Sequence, residues 1–127
     1  MKSQIKSFTD LEVWQRAREI RNQIYRISMS LPADEKFNLG LQMKKAAVSL
    51  TANIAEGYGR FHFQENIQFL RTSRGSAYEL VDHVITCKDQ NYISAEMAEE
   101  INEQLLHCIR LIDGLVRYLK SQKNMKK

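Results

Sequence analysis

The residues of this 127-residue chain best suited to chemistry fall into two groups. One surrounds a glycine-containing break: Asn53, Glu56, Gly57 and Arg60 on one side, and Arg71, Arg74, Gly75, Ser76 and Glu79 on the other. Asn53 and Glu56 are three apart, so on a helix they share a face. Arg74, Ser76 and Glu79 bracket Gly75 on the segment expected to fold back against them. Two chemistries fit this set. Hydrogen-bonded and ion-paired, it would fix the hairpin and support a subunit interface, because removing one partner would strand another. With the arginines unpaired, their planar guanidinium forks would instead meet phosphates.

The second group is basic. Arg18 and Arg21, with Lys2 and Lys6, lie off the core stripe of the first predicted helix, Arg16 and Arg26 flank that stripe, and Lys44 and Lys45 add charge on the second. Such residues form either a solvated face or a footprint for a phosphate backbone. The footprint would bind without reading sequence and weaken steeply with salt. Trp14 and Tyr25 lie among them and could stack on bases, although aromatics at helical spacing also serve the core.

Catalytic and metal chemistry find little support. A carboxylate-bridged metal pair needs Glu-x-x-His on an inward face, and the nearest candidate, Glu79 to His83, is spaced by four. His83, Cys87, His107 and Cys108 have ligand side chains. However, His107 and Cys108 are adjacent on one helix and point about 100° apart, a poor start for one tetrahedral ion. There is no nucleophile elbow and no P-loop, and Gly57-Tyr58-Gly59 reads as a helix-breaking turn rather than a phosphate cradle. The expectation is a non-enzyme with no metal and no cofactor.

Four helices must position these residues, and the pattern places them at about 9–31, 34–57, 62–89 and 94–121. Thr9 and Glu12 have capping-box spacing, Phe8 and Val13 staple spacing, and Val13, Ala17, Ile20, Ile24, Ile27 and Leu31 make the first stripe. That helix ends before Pro32. The second helix carries two stripes, Met43, Ala47, Leu50, Ile54 and Leu41, Val48, Ala52, Ala55, so it wants neighbours on both sides. Gly57 is expected to cap it in a left-handed conformation. The third runs along Phe63, Ile67, Leu70, Ala77, Val81 and Val84, with Arg74 in an otherwise apolar place and Gly75 marking either a close crossing or a weak point. Ser94 caps the fourth, whose stripe is Ile101, Leu105, Cys108, Ile112, Leu115 and Leu119. Helices of this length joined by short turns predict a single all-α domain over 1–127, an up-down-up-down left-handed four-helix bundle.

Composition agrees: 43% apolar and 27% charged residues with one Pro make a globular chain rather than a disordered one. The net charge of +4 favours polyanionic partners without proving one. It is uneven, because residues 1–30 carry six basic and three acidic residues and residues 61–90 carry three and four. The tail from Arg117 through Lys120, Lys123, Lys126 and Lys127 has no acid and reads as cations matching a helix C-terminal dipole. Cys87 and Cys108 read as free core thiols. With no secretory h-region and no apolar run near 20 residues, the expected location is a reducing cytoplasm with no membrane insertion.

Several runs carry a family resemblance: Phe8-Thr9-Asp10-Leu11-Glu12-Val13-Trp14, Gln42 with Lys44-Lys45-Ala46-Ala47-Val48-Ser49, Asn53-Ile54-Ala55-Glu56-Gly57-Tyr58-Gly59-Arg60, and Phe69-Leu70 through Gly75-Ser76-Ala77-Tyr78-Glu79-Leu80. In these the chain resembles the ribosomal S23, or 23S rRNA intervening-sequence, protein family. Lys44 and Lys45 stand where the pattern favours at least one arginine, which keeps charge but loses the bidentate fork. The resemblance implies a bacterial, cytoplasmic, non-enzymatic four-helix protein assembling as a homo-oligomeric ring, a homopentamer, with RNA as partner. The family is also similar to an accessory protein of diversity-generating retroelements that binds reverse transcriptase and nucleic acid. A protein-interaction scaffold without nucleic acid is the alternative.

Overall fold

The computed structural model describes residues 4–125, and among them the chain is all-helical with four long helices and no strand. These are α1 (Glu12–Ser30), α2 (Leu39–Tyr58), α3 (Phe63–Asp89) and α4 (Ala95–Met125). Lys2, Lys126 and Lys127, which were grouped with the basic residues by sequence, lie outside the described residues. Each helix packs on its neighbours in the chain and α1 also packs on α4, with α2 and α3 in the most extensive contact and α1 and α4 in the least. One continuous core results, with Ile20, Ile24, Leu50, Leu70, Leu80, Leu105 and Ile112 at its centre.

The predicted stripe of the first helix is buried throughout, as is that of the fourth except for half-buried Leu115. Three details differ from the sequence pattern, each for a local reason. The capping box is Ser7 with Asp10, not Thr9 with Glu12. The Ser7 and Lys6 N–H groups donate to Asp10 Oδ2 at 3.1 and 2.9 Å, closing a 3₁₀ turn at Phe8–Asp10. Leu11 is then extended, so α1 starts only at Glu12, and Phe8 meets Trp14 edge-on at 5.2 Å. A second 3₁₀ turn at Ala33–Glu35 delays α2 to Leu39.

Gly57 is not a left-handed cap. No glycine among the described residues has positive φ, and α2 continues through a buried Gly57 to Tyr58 before stopping at Gly59. In α3 the buried stripe passes through Ser73, Leu80 and Cys87 rather than through Arg74 and Val81, which are only half-buried. This small rotation accounts for the arginine: it sits at the edge of the stripe rather than in it. Ser94 caps α4 as expected, its hydroxyl accepting from the Met97 N–H at 3.1 Å. Asn91, at φ 63°, turns the chain between α3 and α4 in the left-handed region that asparagine tolerates.

Candidate nucleic-acid interface

The polar group near the α2–α3 turn divides into three parts. Ser76 donates to Ser49 Oγ at 2.8 Å and so ties α3 to α2, while Asn53 holds Ser49 from within α2, donating to its carbonyl and hydroxyl at 2.8 and 2.9 Å. Buried Ser73, which the sequence pattern passed over, adds a 2.7 Å bond to the Leu50 carbonyl. Arg74 turns away from this lacing and pairs with Asp113 of α4 at 2.9 Å, its guanidinium also lying 5.1 Å from the Tyr78 ring. Glu79 meets His83 on its own helix at 2.9 Å.

Glu56 and Arg60 do not pair. The Glu56 side chain is exposed, with no hydrogen bond among the described residues, and Arg60 lies 4.6 Å over the Phe69 ring. The three parts therefore do not form one ion-paired network. Gly57 belongs to the packing: a Cβ there would lie 2.6 Å from Asn66 Oδ1 and 3.1 Å from both the Asn66 carbonyl and Phe69 Cβ. Gly75, by contrast, is exposed with nothing within 4 Å of a Cβ, so no close crossing requires it.

The basic residues of α1 are spread around it. Arg16 pairs with Glu19 at 3.6 Å, in a hollow of about 580 Å³ against α4 that also holds Glu100 and Glu103. Arg18 lies 5.7 Å over Trp14. Arg21 donates to Asn22 at 3.3 Å and reaches across to the Thr51 hydroxyl of α2 at 3.4 Å. Arg26 borders a neighbouring hollow of about 670 Å³ with Tyr92, Met97 and Glu100. Lys44 sits 5.8 Å from the Tyr25 ring, and both Lys44 and Lys45 flank the second α2 stripe, where Leu41 and Val48 are 39% and 45% exposed.

Arg71 is different. It opens into a cleft between α3 and α4 of about 230 Å³, lined by Gln64, Ile67, Arg71, Lys120, Lys123 and Asn124. Lys120 and Lys123 were read in the sequence only as dipole-matching tail residues. The signal that places them was present: Gln64, Ile67 and Arg71 recur at three and four residues on α3, and Lys120, Lys123 and Asn124 do so on α4. What sequence lacks is the register that sets these two faces opposite one another.

Both thiols are buried and free, and burial pushes Cys87 up to about 11 and Cys108 up to about 12, so neither is a ready nucleophile. A carboxylate adds to this at Cys87: Glu35, whose own carboxyl is held below its ordinary value by the Tyr92 hydroxyl donating at 2.8 Å. Among the described residues no three His, Cys, Asp or Glu side chains gather in a metal-binding group. No helix there is long and apolar enough to cross a membrane.

Fold and surface thus define a class, a four-helix protein whose cations, among the described residues, are mostly not matched by carboxylates. The sequence profile of the 23S rRNA-intervening sequence protein family matches residues 9–114, and the chain belongs to that family. Comparison with curated proteins gives no significant match. Among solved structures the chain is similar to a protein of unknown function from the S23 ribosomal protein family of Bacteroides thetaiotaomicron. The two are 21% identical with a TM-score of 0.76, over 82% of this chain and 97% of that one, a likeness of fold.

Proposed function

We propose that this chain is a non-catalytic, oligomeric helical-bundle protein of the cytoplasm that binds RNA, structured or ribosomal, through a basic surface. The observation that carries this reading is the pairing of its cations. Of Arg16, Arg18, Arg21, Arg26, Lys44, Lys45, Arg60, Arg71 and Arg74, only Arg16 and Arg74 meet carboxylates among the described residues. Unpaired cations on a chain of net charge +4 favour a polyanion, and the family name points toward RNA.

The pairs that meet across helices, Arg21 with Thr51, Ser73 with Leu50 and Arg74 with Asp113, support an up-down-up-down course, which we propose with the left-handed twist usual for such bundles. A ring of five copies is part of the same proposal. The exposed second stripe of α2 supports it, and a sedimentation mass of a single chain would remove it. Titrating a structured RNA against the protein at rising salt tests the main reading: affinity should fall linearly on a log–log plot. Salt-independent binding, or none at low salt, would leave the scaffold alternative, to which the exposed α2 stripe also lends itself.

A further inference from the structure

We infer that the α3–α4 cleft bounded by Arg71, Lys120 and Lys123 is a phosphate-binding site, the point at which an RNA backbone is gripped. This inference rests on the RNA reading and names its contact. Three full positive charges border one small cleft, and among the described residues no carboxylate lines it. The hollows between α1 and α4 differ in kind: each mixes one or two arginines with Glu12, Glu19, Glu100 or Glu103. Arg74, the nearest arginine on α3, already pairs with Asp113, so that carboxylate does not serve Arg71.

The backbone contributes little net field here. The N-terminal end of α3 brings about half a positive charge and the C-terminal end of α4 about half a negative one, so they offset and the side chains decide the sign. Like charges held this close repel, and an anion relieves that repulsion. Gln64 orders the cleft, accepting from Lys123 Nζ at 2.6 Å and holding the ammonium against α3. The amides of Gln64 and Asn124 add neutral donors beside the cations, and buried Ile67 gives the cleft a low-dielectric floor. At about 230 Å³ the space is below the roughly 300–1,000 Å³ typical of small-molecule sites, so it suits a phosphate group rather than a whole nucleotide.

The test compares two variants of equal charge loss, R71Q/K120Q/K123Q in the cleft and R18Q/R21Q/K45Q elsewhere, after thermal melts show both folded. A mixed-sequence single-stranded RNA is titrated by fluorescence anisotropy at several salt concentrations. Three lost phosphate contacts should lower the log–log salt slope by about two and weaken binding about 100-fold at 0.1 M salt, with a smaller loss in the other variant. Equal losses in both, or an unchanged slope in the cleft variant, overturn the inference while the RNA reading stands.

A second arm titrates inorganic pyrophosphate and follows the side-chain amide NMR signals of Gln64 and Asn124, which line the cleft and are kept in the variant. If the unaltered protein binds neither this RNA nor a structured one, the proposed function fails, and this arm decides the cleft alone. Saturable shifts that vanish in R71Q/K120Q/K123Q assign it to free phosphate compounds. Linear shifts, or none, overturn it.

Discussion

The α2–α3 and α1–α4 seams are built from the same kind of apolar stripe, yet they close differently. Between α2 and α3 the residues are small and hydrogen-bonded: Gly57 lies against Asn66 and Phe69, Ser73 bonds the Leu50 carbonyl, and Ser76 bonds Ser49. Between α1 and α4 long charged residues stand among the apolar ones, hollows of about 670, 580 and 320 Å³ remain, and Gln23 bonds Gln104 across them at 2.8 Å. Side-chain size at the contact sets how near two helix backbones come. Small polar residues that satisfy one another bring backbones close without stranding a donor, whereas long charged residues hold them apart.

Truncating one large side chain in each seam should separate them most widely. Leu50 and Ile20 are both almost wholly buried, but Leu50 lies beneath the laced seam and Ile20 beside an open hollow. Leu50→Ala should leave a cavity that the surrounding structure cannot relax into, costing about 4–5 kcal/mol. Ile20→Ala opens onto solvent and should cost about 2–3 kcal/mol. Urea unfolding at one fixed protein concentration measures both, since assembly would make stability concentration-dependent. An equal or larger loss for Ile20→Ala would mean that the α1–α4 seam is as tightly closed as its counterpart.

Gly57→Ala probes the tight seam by adding one methyl. Asn66 Oδ1 can swing aside, but the Asn66 carbonyl and Phe69 Cβ are fixed parts of α3 and must yield. Overpacking of about 1–3 kcal/mol, less about 1 kcal/mol regained in helix propensity, leaves a net loss of up to about 2 kcal/mol. A rise in melting temperature would show instead that α2 and α3 can separate freely.

Gly57 also marks what could be read without a structure. The four helices were legible because stripes such as Val13-Ala17-Ile20-Ile24 repeat every three or four residues, and such a period is a local property. Gly57-Tyr58-Gly59 carries the local signs of a helix stop, yet Gly57 is helical, because its role is set by Asn66 and Phe69 across the seam. The same limit applied to charge. Arg74 stands out in the sequence as misplaced, but its partner Asp113 is 39 positions away, beyond the reach of any local pattern. Lys120 and Lys123 looked like helix-end cations until their register with Gln64 and Arg71 placed them in one cleft. Periodicity shows which face of a helix is buried, but not which residue stands opposite.

Gly75→Ala is the smallest change and the one with an opposite sign. Gly75 lies in the interior of α3, exposed, and an added Cβ meets nothing within 4 Å. Alanine restricts the unfolded chain and is the better helix former, so the substitution should stabilise by about 0.5–1 kcal/mol. For a domain of this size that raises the melting temperature by about 2–6 °C, readable by circular dichroism. The sign also sharpens the contrast between seams. An exposed glycine gains from a methyl only if its face stays open, whereas a second copy packed over Gly75 would meet that methyl as Asn66 meets one at Gly57. A gain at all protein concentrations keeps this face of α3 free. A gain in dilute solution that turns to a loss as concentration rises would place Gly75 within a contact between copies, giving its conformational cost the same cause as that of Gly57.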